Sequence, residues 1–183
     1  MADIDPIRDP FSERRVLATG QNMVNEAART LRWLWRRHGP PEAVLCLGTD
    51  RSTGDALGPL VGSEMETRFP RLRVLGTLAH PVHAANLNDV LKSHRDIGEK
   101  RLLAVDASLG RLEDVGTILI GLGPLRPGSG VNKQLPALGL YHITGTVNVG
   151  GFMEYFVLQN TRLALVIQMA SFIALALIAS LSP

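Results

Sequence analysis

The chain contains a single cysteine, Cys46, among 183 residues. One cysteine excludes a disulfide framework and a cysteine-based zinc site within one chain. Because Cys46 lies in an apolar stretch, we predict a buried, unreactive thiol. The first 15 residues carry Asp and Pro where a secretion signal needs an apolar run, so we expect a cytoplasmic protein.

The chain also lacks a large excess of either positive or negative charge. The chain has 19 Lys and Arg against 17 Asp and Glu, which gives a formal net charge of +2. This balance is typical neither of disorder nor of a nucleic-acid-binding protein. The densest basic cluster lies between Arg29 and Arg37, and its spacing predicts the solvent-facing side of an amphipathic helix, with a basic docking patch as the alternative.

Several common nucleotide and nucleophile motifs are missing from the polar loop at residues 48–55. It has no lysine and no Gly-Lys-Ser/Thr ending, so it is no P-loop, and it lacks the spacing of a dinucleotide fingerprint. No Gly-x-Ser-x-Gly elbow surrounds Ser52. The loop nevertheless places two carboxylates, a guanidinium and three hydroxyls within seven residues, between an apolar run and a helical pattern. In α/β sheets, ligands bind at such strand-to-helix junctions. We therefore predict that substrate is bound by Asp50, Arg51, Ser52 and Thr53. The alternative for Asp50, Ser52 and Thr53 is that their side chains shape the loop through hydrogen bonds to its backbone.

Strand and helix patterns alternate along most of the chain. This alternation predicts a three-layer α/β/α sandwich with a mostly parallel sheet. We divide the chain into a flexible arm, residues 1–18, and a single α/β domain, residues 19–183. We predict strands at residues 43–47, 72–78, 102–107, 115–122 and 141–149. We predict helices at about 22–38, after Asp55, at about 86–94 and beyond 151, the last with a boundary near Asn160. Residues 123–136 are predicted to form a loop.

The segment Leu163–Leu181 contains no charged residue and is about as long as a membrane span. A central helix covered on all sides by the fold has the same composition. We favour the buried helix, because the preceding residues already form a complete α/β pattern. A membrane anchor and a helix that forms a homo-oligomer are the alternatives.

Two aspartates fall at strand ends of the predicted sheet. Asp55 follows the first strand, and Asp106 lies near the end of the third. The carboxyl ends of parallel strands share one edge, so the two side chains can converge there. A converging pair shares one proton, which allows one carboxyl to activate water and the other to protonate a leaving group. Asp55 also stands where a helix N-cap is expected.

The same two carboxylates could instead hold a divalent metal ion with a histidine as the third ligand. His142, in the fifth predicted strand, is the first candidate, and His83, in the loop after the second, is the other. Both histidines are equally candidates for substrate binding. The alternative for His142 is a core residue with no functional role.

The segments GTDRSTGDALGPLVG (residues 48–62), GTLAHPVHAANL (76–87) and AVDASLGR (104–111) resemble the spore protease YyaC family of sporulating bacteria. The resemblance extends over roughly residues 42–175. That family is similar to the germination protease and, more distantly, to the hydrogenase maturation endopeptidases. The resemblance implies a phosphorylase/hydrolase-like α/β/α fold, with catalytic carboxylates at the positions of Asp55 and Asp106. In the hydrogenase endopeptidases, acidic residues and a later histidine bind the nickel of the substrate.

The residues and the resemblance together favour a cytoplasmic peptidase that acts on a protein or peptide during sporulation or germination, without nucleic acid or a membrane. One aspartate would act as general base on water and the other would protonate the leaving amine. Two alternatives remain: a protease-like binding module that does not cut, and a metal-dependent hydrolase. No cofactor other than that divalent metal is expected.

Overall fold

The computed structural model describes residues 13–97, 101–127 and 136–182 of the chain. Within them, six strands form one sheet in the order β1-β5-β6-β4-β2-β3. The β2–β3, β2–β4 and β4–β6 pairs are parallel, whereas β5 is antiparallel to both of its neighbours. The strands are β1 (Glu13–Leu17), β2 (Ala43–Cys46), β3 (Arg73–Leu75), β4 (Leu102–Gly110), β5 (Thr117–Leu122) and β6 (Tyr141–Val149).

Five α-helices accompany the sheet in the part of the chain that is described. The helices are α1 (Gln21–His38), α2 (Leu57–Arg68), α3 (Leu87–Ser93), α4 (Glu154–Gln159) and α5 (Leu163–Leu181), with short 3-10 helices at Gly54–Ala56 and Leu112–Asp114. The main core lies between one sheet face and α1, α2 and α5. A smaller apolar cluster on the other face includes Leu87 at the start of α3 and reaches β2 and the first residues of β4. The predicted mostly parallel α/β architecture is confirmed.

The N-terminal arm was predicted to extend to residue 18, but part of it belongs to the sheet. Glu13–Leu17 pairs antiparallel with β5 as an edge strand. This strand is hard to recognise from the sequence, because only Val16 of its five residues is buried. Residues 1–12 of the predicted arm, and residues 128–135 of the predicted loop, lie outside the described residues.

Helix α5 is the apolar segment for which membrane insertion and burial were the alternatives. It packs between α1 and α2, and buries residues such as Met169 and Ile173 completely. It is the one described helix long and apolar enough to cross a membrane by length and composition, and half of its most apolar window is buried in the fold. A stripe of Leu163, Ile167 and Leu175 remains exposed. The helix is therefore packed into the fold on one side, and it is not covered on all sides as the central-helix interpretation expects.

Candidate active site at the carboxyl ends of the parallel strands

The loop that follows β2 is folded tightly onto itself. Gly48 has φ 135°, a conformation open mainly to glycine, and a Cβ built on it would lie 1.9 Å from the Asp55 carbonyl oxygen. The Thr49 N–H donates to the same oxygen at 3.1 Å. A Cβ on Gly58 would likewise lie 1.9 Å from the Leu47 carbonyl oxygen. These close backbone contacts fix the position of Asp55.

Asp55 does not cap helix α2, as its position in the sequence suggested. It lies inside the 3-10 helix Gly54–Ala56, and Ala56 occupies the N-cap position of α2 with no side-chain hydrogen bond. No side-chain cap hydrogen bond is present at the start of this 3-10 helix or of α2. The Asp55 side chain is therefore not committed to a structural cap.

Asp106 lies in the middle of β4 but beyond the end of the neighbouring strand. The last residue of β2, Cys46, pairs with Val105. The Leu47 N–H still donates to the Val105 carbonyl oxygen at 2.7 Å, and Leu47 also forms a bridge with Val82. On its other side Asp106 pairs with Thr144 of β6. One flank of Asp106 therefore faces the loop that carries Asp55.

The Asp106 carboxyl is surrounded by protein, although the residue as a whole keeps some exposed surface. Burial, as the main cause, raises its pKa from 3.8 to about 7. The Ala107 N–H, which donates to Oδ1 at 2.8 Å, opposes this change, and the negative charge of Asp55 adds to it. Near neutral pH, Asp106 is thus present in both protonated and ionised forms.

Burial also raises the pKa of Asp55, while the nearby Ser52 hydroxyl acts to lower it. Ser52 is itself only 6% exposed. Its hydroxyl oxygen approaches Asp55 closely enough to affect the carboxyl, yet it makes no hydrogen bond of normal geometry within the described residues. Ser52 is therefore a loop residue whose side chain influences the pKa of Asp55.

The other predicted substrate residues are spread over the same end of the sheet. Asp50 and Arg51 are exposed, and Thr53, at the start of the 3-10 helix, is half-buried. His83 follows the Val82 bridge, and its Nδ1 accepts a hydrogen bond from the Ala85 N–H at 3.3 Å. Their roles in substrate binding remain predictions.

His142 is not brought beside the two aspartates. It is the second residue of β6 and pairs with Ala104, two positions before Asp106 along β4. Its ring lies over Gly121 of β5, where a Cβ would come within 2.3 Å of it. Its Nδ1 lies 3.0 Å from the Gly123 carbonyl oxygen and its Nε2 lies 3.8 Å from Glu13. We had placed it at the wrong end of its strand, because a strand's length alone does not give its register.

This position of His142 bears on the metal alternative. Among residues 13–97, 101–127 and 136–182, no group of three His, Cys, Asp or Glu side chains could hold a metal ion. The Asp55–Asp106 pair therefore supplies two carboxyls without a third His, Cys, Asp or Glu from those residues. This donor set does not fit a zinc-type site that needs three such side chains from the described residues.

The sequence analysis missed a polar strip on the sheet beside Asp106. Side chains alternate across a strand, so Ser108 shares a face with Asp106. Its hydroxyl lies 3.5 Å from that of Thr146, which shares a face with Thr144 on β6. The alternating hydroxyls of ITGTV in β6 were the signal for this strip.

The sequence analysis also missed the way α4 is seated against the aspartate loop. A Cβ on Gly54 would lie 2.7 Å from the Leu158 side chain and 3.1 Å from the Thr161 hydroxyl. The Asn148 amide, near the carboxyl end of β6, donates to that hydroxyl at 3.2 Å. The residue before Asp55 is therefore in direct contact with α4 and the turn that follows it.

These features define the chain as an α/β protein in which Asp55 and Asp106 lie near the carboxyl ends of its parallel strands. A family described as "Protein of unknown function (DUF1256)" matches residues 16–176. The chain is 55% identical over 141 residues to "Uncharacterized protein YyaC" of Bacillus subtilis (strain 168), with 74% of this chain and 67% of that protein covered. The chain belongs to the YyaC family, and the resemblance stated from its motifs is confirmed.

Proposed function

We propose that this protein is a hydrolase of peptide bonds in which Asp55 and Asp106 form the acid/base pair. The observation that carries the proposal is the burial of the Asp106 carboxyl beside the loop that carries Asp55, which raises its pKa to about 7 with a smaller contribution from the Asp55 charge. An exposed carboxyl ordinarily has a pKa of about 4, so the raised pKa of Asp106 indicates an unusual environment. Strongly perturbed carboxyls that interact with each other are concentrated at catalytic sites.

The roles follow from the two environments. Asp106 is the more enclosed carboxyl and keeps its proton at higher pH, so it is the general acid. Asp55 is less enclosed: burial raises its pKa and the Ser52 hydroxyl opposes that rise, so it is ionised first and is the general base. The charges of the two groups favour a state with one proton between them.

In the reaction, a water molecule gives a proton to Asp55 as its oxygen bonds to the carbonyl carbon. The tetrahedral intermediate then collapses, and the C–N bond breaks as Asp106 gives its proton to the leaving nitrogen. The products are a carboxylic acid and an amine. Transfer of the proton held by Asp55 back to the ionised Asp106, directly or through water, restores the starting pair.

The family resemblance supports a setting in the sporulating cell, with a spore protein or peptide as the substrate and a cytoplasmic location. A binding module without catalysis is the second candidate. It is favoured by the large apolar side chains exposed near the site, which include Phe152 and Tyr155. Such surfaces bind other proteins whether or not a bond is cut.

The test is hydrolysis of a defined mixture of unstructured peptides, with products identified by mass spectrometry. The wild-type protein should cut a subset of the peptides, and Asp55→Asn and Asp106→Asn should each lower the rate by at least about 100-fold. Asp89→Asn is the matched control, because that side chain is 81% exposed on α3, where it pairs with Lys92. Unchanged cleavage by both site variants would refute the assignment. No cleavage by the wild-type protein would favour the binding module.

A further inference from the structure

The segment after β6 presents an unusual set of apolar side chains to solvent. Phe152 is 89% exposed, Tyr155 66%, Phe156 53% and Met153 50%. We call these four residues the aromatic surface. The Tyr155 and Phe156 rings are in edge contact, with centroids 5.7 Å apart. Contiguous apolar side chains of this size on a surface are typical of binding sites.

The aromatic surface is held by specific contacts rather than by a core. Met153 adopts the left-handed conformation, with φ 56°, which costs a residue other than glycine on the order of 1 kcal/mol. The Glu154 carboxylate accepts the Gly151 N–H at 3.2 Å. The Asn148 amide donates to the Val157 carbonyl oxygen at 3.4 Å. Strained backbone that is retained by such contacts is concentrated at functional sites.

The same segment is continuous with the carboxyl pair. Its helix, α4, contacts Gly54 through Leu158, and Gly54 directly precedes Asp55. Asn148, which anchors α4, lies on the strand that pairs with Asp106 through Thr144. The aromatic surface and the two aspartates thus belong to one end of the sheet and share supporting residues.

We propose that the aromatic surface binds an apolar or aromatic side chain of the polypeptide substrate, close to the bond that Asp55 and Asp106 hydrolyse. This inference rests on the proposed function, because it assigns the substrate's recognition element at the same site. The occupant is a polypeptide: the half-buried residues Ser108 and Thr144 offer hydroxyls on the strand face that carries Asp106, and the aromatic surface offers apolar contact. An extended chain carries both kinds of group in alternation.

The experiment measures binding without turnover, in the Asp106→Asn protein. Two pools of fluorescein-labelled decapeptides are used that differ only at a fixed central position, which is Phe or Leu in one pool and Ser or Gln in the other. Fluorescence anisotropy should show about tenfold tighter binding of the apolar pool, since one buried apolar side chain accounts for a factor of this order. A combined Phe152→Gln, Tyr155→Gln, Phe156→Gln variant should lose that preference.

A matched control replaces exposed apolar residues on another helix. Ile167→Gln with Leu175→Gln alters residues of α5 that are 47% and 38% exposed. This control should keep the preference for the apolar pool. Equal binding of the two pools, or an unchanged preference in the aromatic variant, would overturn the proposal.

Two further outcomes separate this proposal from its rivals. If the wild-type protein sediments as a dimer and the aromatic variant as a monomer, a second copy covers the surface and the proposal is wrong. If the apolar preference is present and depends on the aromatic surface, but the wild-type protein cuts no peptide, the surface is a polypeptide-binding site and the hydrolytic function is rejected. The proposal on binding and the proposal on hydrolysis can therefore be refuted independently of each other.

Discussion

The carbonyl oxygen of Asp55 occupies the space into which a side chain at Gly48 would extend. A Cβ on Gly48 would lie 1.9 Å from that oxygen and 3.0 Å from the Pro59 ring. Backbone atoms cannot give way as a flexible side chain can. The position of a candidate catalytic carboxylate therefore depends on the absence of a side chain seven residues earlier.

Gly48→Ala should displace the Asp55 loop and destabilise the fold by about 2–4 kcal/mol, through overpacking and the positive φ together. Urea unfolding measures the change. Gly151→Ala is the matched control, since Gly151 has the same φ of 135° but nothing within 4 Å of its built Cβ. It should lose only the conformational part, about 1 kcal/mol. Equal losses in the two variants would show that the contact with Asp55 contributes nothing.

Ser52→Ala should raise the pKa of Asp55, because the hydroxyl that lowers it is removed while the burial that raises it stays. The carboxyl carbon signal of Asp55, followed by NMR as a function of pH, reports this change without any assay of activity. If the protein hydrolyses peptides, the acidic limb of its pH–rate profile should move to higher pH in the same direction. Ser93→Ala on α3, where the hydroxyl bonds only the Asp89 carbonyl, should change neither quantity. A pKa of Asp55 that falls in Ser52→Ala would contradict the assignment of Ser52.

Asp106→Asn should stabilise the protein increasingly as the pH rises. The folded-state pKa of Asp106, about 7, lies above the ordinary value of 3.8, so the folded protein binds more protons between these values. The contribution of protonated Asp106 to wild-type stability is therefore fully present below about pH 4 and is lost as the pH rises through about 7. The Asp106→Asn protein has no such pH-dependent contribution, because an amide does not titrate in this range. Its gain should be small at about pH 4.5 and at most about 4 kcal/mol at about pH 8.

The measurement for this prediction is urea unfolding of both proteins at the two pH values. Asp89→Asn, at an exposed site, should show no comparable change in the difference with pH. A stability difference between Asp106→Asn and wild type that is independent of pH would mean that Asp106 titrates normally in the folded protein.

Much of the architecture could be predicted because buried strands and amphipathic helices leave strong periodic patterns. Tyr141–Val149 and the start of β4 at Leu102 agree with their predicted bounds, and Asn160 does mark the helix boundary. The edge strand β1 escaped because pairing on one side lets charged residues remain in it. Edge strands are specified by their partner more than by their own sequence.

The candidate site was predictable in part for a related reason. Topology brings the carboxyl ends of parallel strands together, so a position near that edge could be predicted for Asp55 and Asp106 from the sequence. Their action as an acid/base pair stays a prediction. Strand register and side-chain direction depend on the tertiary structure, which places the His142 ring over Gly121 and not beside the aspartates. The aromatic surface was missed because FMEYF fits a buried helix as well as an exposed one; three aromatic residues in five positions after Gly150 and Gly151 were the available signal.

The most direct test of the acid/base pair is an NMR titration of the Asp106 carboxyl carbon in wild-type protein and in Asp55→Asn. The account predicts an apparent pKa of about 7 in the wild-type protein. It predicts a lower value in Asp55→Asn, because burial remains while the neighbouring charge is removed. A pKa of about 4 in both proteins, or one that does not change when Asp55 loses its charge, would contradict the coupled pair on which the proposed function rests.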